Sequence, residues 1–244
     1  RIVADLELVD ATLAEALEKG LQGDPLSAFG SVLGLNRVVD ADAAELLARP
    51  GLFIEAIVAP DFAPEALEIL TTRPKWKANV RLMKVGDLAE SPDRWVFRCI
   101  EGGMLMQEAD VLADPENDWK VATDAKPAEA QLADLRFAWN IVRHVKSNAI
   151  AICKDRMLLG AGAGQMSRVD SVEIAIHKAG DRVRGAVLSS DAFFPFPDSI
   201  ERLAKAGIAA VIQPGGSKND QAVIAACNAS KIPMIFTGRR HFKH

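Results

Sequence analysis

Hydrophobic residues in this chain recur at helical spacing in some segments and form short continuous runs in others. In the first half, the pattern predicts helices at residues 11–22, 40–48 and 64–71, and strands at 29–36, 53–59, 81–85, 95–100 and 104–107. In the second half, it predicts helices at 128–145, 167–179, 200–206 and 221–229, and strands at 148–153, 157–159, 183–188, 209–213 and 233–236. Because strands alternate with helices, we predict an α/β protein with mainly parallel sheets.

A polar stretch at residues 113–126 interrupts this pattern, since it follows neither spacing. We therefore predict a linker there between two α/β domains, at residues 1–120 and 121–244. A weak repeat supports two similar units. In each half a loop containing Asp and Phe precedes a helix and then a strand that ends at a proline, Pro60 or Pro214.

Composition narrows the classes of partner and compartment. The 244 residues carry a formal net charge of −4 and no long Lys/Arg block, so no nucleic-acid partner is predicted. No apolar run reaches the roughly 18 residues of a membrane span, and the first residues lack the apolar core of a signal peptide. Cys99, Cys153 and Cys227 lie far apart without a CxxC pair, which favours reduced thiols in the cytoplasm and argues against a zinc site.

The stretch SSDAFFPFPD, residues 189–198, has unusual side chains for a loop. Its prolines fix the backbone angle φ and remove hydrogen-bond donors, so the loop is expected to be stiff. Aromatic and acidic side chains on a stiff loop suit a flat heterocycle with polar edges. The alternative interpretation is a hydrophobic plug beneath a surface loop.

Two glycine-rich segments each follow a predicted strand and precede a predicted helix. In GAGAGQMSR, residues 160–168, glycines and a helix N-terminus would suit a phosphate or dinucleotide, or else form only a tight turn. Arg168 opposes the helix dipole, which is more easily explained by a ligand that it meets. QPGGSKND, residues 213–220, would line the same crevice beyond the strand ends, or be an ordinary turn. No metal-ligand, GxSxG or Walker pattern occurs.

Several long motifs together resemble a known family. VKSNAI, GAGAGQMSR, SDAFFPFPD, IQPGGS and RRHFKH stand in this order, preceded by DPLSAFGSVLGLNRVVD and EAIVAPDFAPEALEIL. They resemble the AICAR transformylase part of the bifunctional purine-biosynthesis family PurH, with the weakest likeness at residues 86–126. The resemblance implies a cytoplasmic homodimer of chains with two tandem cytidine-deaminase-like, three-layer domains, the first incomplete at its N-terminus. The active sites would lie at the subunit interface.

The resemblance also implies an activity and its residues. The family transfers a formyl group from 10-formyltetrahydrofolate to the 5-amino group of AICAR, giving FAICAR in the synthesis of IMP. Asn148 would orient the reacting groups, Arg168 would contact AICAR, and Arg240 would bind its phosphate. A structural monovalent cation such as K⁺ would lie near Asp191. The full set implied is Asn148 and His244 for catalysis, Arg168, Arg240, Gly30 and Glu55 for substrate, and Phe193, Pro195 and Asp198 for folate.

One departure from the family concerns the proton transfer. The family's catalytic Lys-His pair lies in a KHxNPxG motif that these residues do not contain, and the RYGxNPHQ segment and cyclohydrolase domain are also missing. A His would move the proton of the weakly nucleophilic amine, and a Lys would polarise the formyl oxygen. We therefore expect a formyltransferase fragment, or a chain completed by a separate N-terminal or cyclohydrolase polypeptide. The alternatives are a non-catalytic folate- or nucleotide-binding or assembly subunit, and a nicotinamide-dependent enzyme suggested by GAGAG.

Overall fold

The computed structural model describes residues 2–4, 12–88, 95–111 and 114–244. Contacts divide the chain into two compact units, unit 1 from Arg1 to Ala109 and unit 2 from Asp110 to His244. The predicted domain boundary lies after residue 120, which is later in the chain than the border between these two units. The predicted domains stay a prediction. The α/β class is confirmed in both units.

Unit 1 is built on a four-stranded parallel sheet in the order β1-β2-β3-β4. The strands are β1 (Ile2–Ala4), β2 (Ser31–Leu35), β3 (Ile54–Ala59) and β4 (Arg81–Lys84). The helices described between them are α1 (Leu13–Gly23), α2 (Pro25–Ala28), α3 (Ala41–Leu47) and α4 (Pro64–Thr72). Leucine, isoleucine and alanine side chains from these helices and strands form one buried core. The spacing of apolar residues therefore predicted six of these eight elements, and it missed β1 and α2.

The start of α1 differs from the sequence prediction. The spacing predicts a helix from residue 11 with Asp10 as its N-cap. Asp10 lies outside the described residues, and the N-cap is Thr12. The Thr12 hydroxyl accepts from the Glu15 backbone N–H, and the Glu15 carboxylate accepts from the Thr12 backbone N–H, at 3.2 and 3.0 Å. This reciprocal pair is a capping box, which satisfies two of the amides that a helix leaves unpaired at its first turn.

An antiparallel hairpin ends unit 1, with strands β5 (Trp95–Ile100) and β6 (Gly103–Glu108) around the predicted EGG turn. Every residue of both strands is exposed, although many are apolar. The exposed large apolar side chains are Trp95, Val96, Phe97, Ile100, Met104, Leu105 and Met106. A two-stranded hairpin alone is marginally stable in water, so this apolar surface needs an explanation.

Unit 2 contains a six-stranded mixed sheet in the order β7-β12-β11-β10-β8-β9. Its strands are β7 (Lys120–Val121), β8 (Ile150–Lys154), β9 (Met157–Gly162), β10 (Val187–Ser190), β11 (Ala210–Gln213) and β12 (Met234–Phe236). Its α-helices are α5 (Glu129–Val142), α6 (Arg168–Ala179), α7 (Asp198–Ala206) and α8 (Asp220–Ala229). The strands β10, β11 and β12 run parallel, while β7, β8 and β9 pair antiparallel to their neighbours.

Mainly parallel sheets were therefore predicted correctly for unit 1 but not for unit 2. The physical reason is the length of the connections. β8 and β9 are joined by a two-residue turn, and a connection so short can join only antiparallel strands. Both turn residues, Asp155 and Arg156, have positive φ, and their amides donate to the buried carboxylate of Asp134 at 3.0 and 2.7 Å. The tandem cytidine-deaminase-like, three-layer arrangement stays a prediction.

The predicted linker is wrong for most of its length, because it packs within unit 2. Residues 116–118 form a 3₁₀ turn, and β7 pairs with β12. The Thr123 hydroxyl accepts from the Met234 backbone N–H at 2.8 Å. Side chains of this polar stretch therefore serve as hydrogen-bonding partners inside a unit, which hydrophobic spacing could not reveal. Within the described ranges, no helix combines the length and apolar character needed to cross a bilayer.

The GAGAG segment is also placed differently from the prediction. Gly160 and Gly162 lie inside strand β9, not in a loop, and helix α6 packs directly on them. A Cβ on Gly160 would lie 2.2 Å from the Ala175 carbonyl oxygen, and one on Gly162 would lie 1.9 Å from that of Ser171. These glycines therefore permit a close contact between helix and strand. The phosphate-loop and nicotinamide interpretations of GAGAG are wrong for these two positions.

Candidate functional site

A cavity of about 400 Å³ opens in unit 2, between the N-terminus of α6, the loop after β10 and the last residues of the chain. It brings together six positions that the sequence had singled out separately. They are Asn148, Arg168, Phe193, Pro195, Asp198 and Arg240. The size suits a small organic ligand, and the lining combines aromatic, acidic and basic side chains.

Arg168 stands at the first position of α6, and its side chain is only 8% exposed. Its guanidinium donates to Asp191 Oδ1 at 2.5 Å, to Ser190 Oγ at 2.7 Å and to Asn148 Oδ1 at 3.0 Å. The Asp191 side chain is fully buried, and the Arg168 guanidinium compensates its negative charge. This buried ion pair lies beneath the cavity. The buried carboxylate is thus one partner of Arg168 at this position, and contact of Arg168 with a ligand stays a prediction.

Asn148 follows a cis peptide bond from Ser147 and joins three segments of unit 2. Its side-chain N–H groups donate to the carbonyl oxygens of Gln165 and Met166 at 2.9 and 3.1 Å. Its side-chain oxygen accepts from Arg168. The amide thus fixes the loop before α6 at the edge of the cavity. Whether it also orients reacting groups stays a prediction.

The aromatic loop, defined as residues 192–197, combines a buried residue with residues that line the cavity, and its binding of a heterocycle stays a prediction. Phe194 is fully buried and packs in the core, as a plug would, while Phe193 and Pro195 line the cavity. The segment predicted as a second glycine turn holds this loop in place. Gln213 Oε1 accepts from the Phe194 backbone N–H at 3.0 Å, and the Asn219 side-chain amide donates to the Pro195 carbonyl at 2.8 Å.

The C-terminal strap, defined as residues 239–244, crosses the same cavity without forming a helix or strand. The His241 backbone N–H donates to the Asp191 carbonyl at 3.0 Å. Ser147 and Lys243 are joined twice, by Ser147 N–H to the Lys243 carbonyl at 2.9 Å and by Lys243 N–H to Ser147 Oγ at 3.1 Å. Arg240 and Phe242 line the cavity, with the guanidinium carbon 5.3 Å from the centre of the ring.

His241 points away from the cavity into an acidic clamp, defined as the carboxylates of Asp110 and Asp114. The residue is 1% exposed, and its Nδ1 and Nε2 lie 2.6 Å from Asp110 Oδ2 and from Asp114 Oδ2 respectively. The Trp139 ring packs 4.9 Å from the imidazole, and its N–H donates to Asp114 at 2.7 Å. Sequence reasoning missed this cluster, since nothing in the sequence pairs a terminal His with acids more than a hundred residues earlier.

Electrostatics at Asp110 follow from this arrangement. Burial acts to raise the pKa of Asp110, but the hydrogen bond from His241 and the positive charges of His241 and Arg143 outweigh it. The pKa is therefore lowered below its ordinary value, and the carboxylate stays ionised. Arg143 Nη2 lies 3.1 Å from Asp110 Oδ1, and Arg239 Nη1 lies 3.0 Å from Asp114 Oδ1.

Three predicted site residues lie outside the cavity lining. Gly30 and Glu55 belong to unit 1: the Gly30 N–H donates to the Phe53 carbonyl at 2.8 Å, and Glu55 lies 3.4 Å from Arg81. The His244 ring stands 5.7 Å from that of Phe242, one of the lining residues. Their roles stay predictions. In the described part of the chain, no three His, Cys, Asp or Glu side chains are grouped as metal ligands.

The fold and the cavity define an α/β protein with a small-molecule pocket in its second unit. The family model described as the AICARFT/IMPCHase bienzyme matches residues 8–178. The bifunctional purine biosynthesis protein PurH of Rhodopirellula baltica is 59% identical over 233 residues, covering 96% of this chain and 45% of that protein. PurH of Acaryochloris marina is 49% identical, covering 96% of this chain and 43% of that protein. The chain therefore belongs to the AICARFT/IMPCHase bienzyme family.

These matches cover the chain and its relatives to different extents. The chain spans less than half the length of the curated relatives it matches. Among solved structures, "Acinetobacter baumannii RibD, form 2" aligns with a TM-score of 0.30 at 19% identity, covering 44% of this chain and 34% of that chain. That likeness is too slight to carry an argument about the fold.

Proposed function

We propose that this chain contributes to formyl transfer from 10-formyltetrahydrofolate to the 5-amino group of AICAR, a step in purine biosynthesis. The observation that carries the proposal is the cavity of unit 2. Six of the nine residues implied by the family resemblance line it, although they come from widely separated segments. Membership of the AICARFT/IMPCHase bienzyme family supports AICAR as one substrate. The family resemblance implies 10-formyltetrahydrofolate as the other, and the chemistry of the lining suits both of them.

Each lining group has a role that its chemistry supports. Arg240 presents a planar guanidinium, which binds phosphate oxygens in a bidentate geometry. Phe193 and Pro195 offer apolar surfaces for the flat pterin ring of folate, and the Asp198 carboxylate accepts from N–H groups on its edge. Arg168, held by Asp191, would contact the AICAR heterocycle from below. These roles position both substrates in one cavity, which brings the amine and the formyl carbon together.

Proton transfer is the part of the reaction that these residues support least. The KHxNPxG motif does not occur in the 244 residues. Asn148 and His244 are the groups of this chain that we assign to the reacting atoms, Asn148 as an orienting amide and His244 as a group completing the site. For this chain the proposal is therefore substrate binding and orientation, with little turnover by these residues alone.

Calorimetric titration of the purified chain with AICAR and with tetrahydrofolate tests the proposal. We expect both to bind, and Arg240→Ala to weaken AICAR by about tenfold or more while tetrahydrofolate is little changed. Arg202→Ala, on the exposed face of α7, is the matched control and should change neither affinity. Absence of binding for both ligands would overturn the proposal. Formyl transfer at an enzymatic rate by the 244 residues would overturn the assignment of binding alone.

We also propose that the chain forms a cytoplasmic homodimer, and that the apolar hairpin β5–β6 lies in its interface. The family resemblance implies a dimer, and the hairpin exposes seven large apolar side chains on strands that no buried core supports. Burying such a surface against a second copy would remove its contact with water. The cysteines are free thiols, as expected for a reducing compartment.

Alkylation of Cys99 with iodoacetamide at rising protein concentration tests this interface. Cys99 lies exposed on β5, so dimerisation through the hairpin should slow its reaction as the dimer forms. Cys227 is an internal control, because burial raises its pKa to about 12 and keeps the thiol protonated and unreactive at every concentration. Sedimentation should give the monomer–dimer equilibrium over the same range. A dimer that leaves Cys99 fully reactive would rule out the hairpin as its interface.

The monovalent cation that the resemblance implies near Asp191 stays a prediction. In this structure both Asp191 carboxylate oxygens have partners, Arg168 on one and the Ser147 hydroxyl on the other. The guanidinium already compensates the charge of this buried carboxylate, so the described residues do not call for a cation. No step of the proposed function runs through one.

A further inference from the structure

We propose that Asp110 and Asp114 are positioning residues for the nucleotide site, acting through His241 on the stretch from Arg240 to Phe242. The proposal rests on the proposed function for the identity of the nucleotide. The clamp, the strap and the cavity all belong to unit 2.

The clamp is a built feature rather than a chance contact of surface charges. Both imidazole nitrogens of His241 face carboxylate oxygens at 2.6 Å, and a carboxylate oxygen can only accept unless it is protonated. The buried ring is thus held from two sides by charge-assisted hydrogen bonds, which are roughly twice as strong as neutral ones. Trp139 covers the ring and donates to Asp114.

Anchoring the His241 side chain in the clamp also positions the residues on either side of it, because the backbone of the strap connects them. In an extended segment, successive side chains point to opposite sides. His241 points into the clamp, so Arg240 and Phe242 on either side of it face the cavity. The strap forms no helix or strand, so its position depends on a few contacts. In the clamp, carboxylates contact both ring nitrogens of a single strap side chain, that of His241. Ordering Arg240 before the ligand arrives lowers the entropic cost of binding phosphate.

The consequence is specific to one of the two proposed ligands. The aromatic loop is held by Gln213 and Asn219 and makes no use of the clamp. Weakening the clamp should therefore weaken AICAR binding while tetrahydrofolate binding is kept. A residue that served only the stability of the unit would not separate the two affinities.

The experiment compares Asp114→Asn and Asp110→Asn with Asn219→Ala in the full 244-residue chain. Asn keeps the size of Asp but removes the charge and one acceptor, and Asp110 tests the same clamp at lower risk to folding, since its side chain is 43% exposed against 6% for Asp114. The measurements are hydrogen exchange of the C-terminal peptide, which includes the His241 amide bound to Asp191, and calorimetric Kd values for AICAR and tetrahydrofolate.

We expect each Asp→Asn variant to speed exchange in the strap and to raise the Kd of AICAR by about tenfold, with tetrahydrofolate within about twofold. Asn219→Ala should show the reverse preference, and Asp114→Glu should restore part of the AICAR affinity. Unchanged exchange and unchanged AICAR affinity in both Asp→Asn variants would overturn the proposal, as would an equal loss for both ligands. If the unaltered chain binds neither AICAR nor tetrahydrofolate, the proposed function fails, yet faster exchange in the variants would still support the anchoring of the strap by the clamp.

Discussion

Two walls of the same cavity are fixed by different physical means. The aromatic loop is held by a buried phenyl ring and by the neutral amides of Gln213 and Asn219. The C-terminal strap is held by charges, since His241 sits between two carboxylates and Ser147 joins it to Asp191. Both walls meet at the buried pair of Arg168 and Asp191, because the Asp191 carbonyl accepts from the strap and its neighbour Ala192 begins the loop.

The contrast between the walls explains how one site can treat two ligands separately. A wall built from apolar burial and neutral hydrogen bonds responds weakly to charge substitutions and to acid. A wall built from ionised groups responds to both, because the loss of one partner leaves the other charge buried and unpaired. Substitutions and acid should therefore affect the two walls unequally.

Arg168→Ala should damage both walls at once. It leaves the fully buried Asp191 carboxylate without its ion pair, which typically costs about 3–5 kcal/mol of unfolding free energy. Urea unfolding followed by the tryptophan fluorescence of unit 2 measures this loss. Arg202→Ala removes an exposed pair with Glu173 and should cost at most about 1 kcal/mol. Similar losses in the two variants would contradict a buried, shared anchor.

Gly162→Ala should displace α6 and with it Arg168. The added Cβ would lie 1.9 Å from the Ser171 carbonyl oxygen, so backbone must move, at a cost of about 1–3 kcal/mol or more. Gly34→Ala is the matched control, because Gly34 also lies in a strand but a Cβ added there would meet nothing within 4 Å. Thermal unfolding of the two variants compares them. Equal stability would show that the close contact of β9 with α6 is not required.

Gln213→Ala should affect the aromatic loop and spare the strap. It leaves the buried Phe194 N–H without an acceptor, which costs about 1–3 kcal/mol. Tetrahydrofolate binding should weaken, while hydrogen exchange in residues 239–244 should not change. Gln221→Ala, exposed on α8, should leave folate affinity unaltered. Faster exchange in the strap of the Gln213 variant would mean that the two walls are coupled.

Acid should release the strap before the loop. The pKa of Asp110 lies below its ordinary value of 3.8, so its charge stabilises the folded strap at higher pH, and this contribution is lost as the pH falls through the lowered value. The amides of His241 and Phe194 report the two walls in one sample, after correction for intrinsic exchange. Protection at both amides should persist from pH 7 to about pH 4. Loss of protection at the same pH for both would contradict separate fixation.

Sequence periodicity predicted most elements because burial leaves a local record. The helices at Ala41–Leu47 and Pro64–Thr72 and the strand at Ile54–Ala59 differ from the predicted ranges by a residue or so at each end. The errors in the predicted elements concern contacts that hydrophobic spacing does not record. The cap of α1 depends on two reciprocal bonds, in which the side chains of Thr12 and Glu15 each accept from the other residue's backbone N–H, and the glycines of β9 serve a contact with a helix that comes later in the chain.

The residues of the candidate site likewise fall into those that the sequence predicted and those that it did not. Asn148, Arg168, the aromatic loop and Arg240 were found from unusual residues in contiguous motifs, and the structure brings them to one cavity. The acidic clamp was not found, because Asp114 stands in the polar stretch predicted as a linker, Asp110 stands just before it, and the two become meaningful only beside His241. The long separation between these partners leaves no spacing to recognise.

The amino-acid sequence alone was sufficient for the α/β class, the family and six of the residues that line the cavity, because hydrophobic spacing and contiguous motifs are local properties of the chain. The folded structure was needed to see that Arg168 meets Asp191, that Gly160 and Gly162 seat a helix, and that an acidic clamp holds the strap. These are contacts between distant segments. Their free energy depends on burial and geometry, which exist only once the chain has folded.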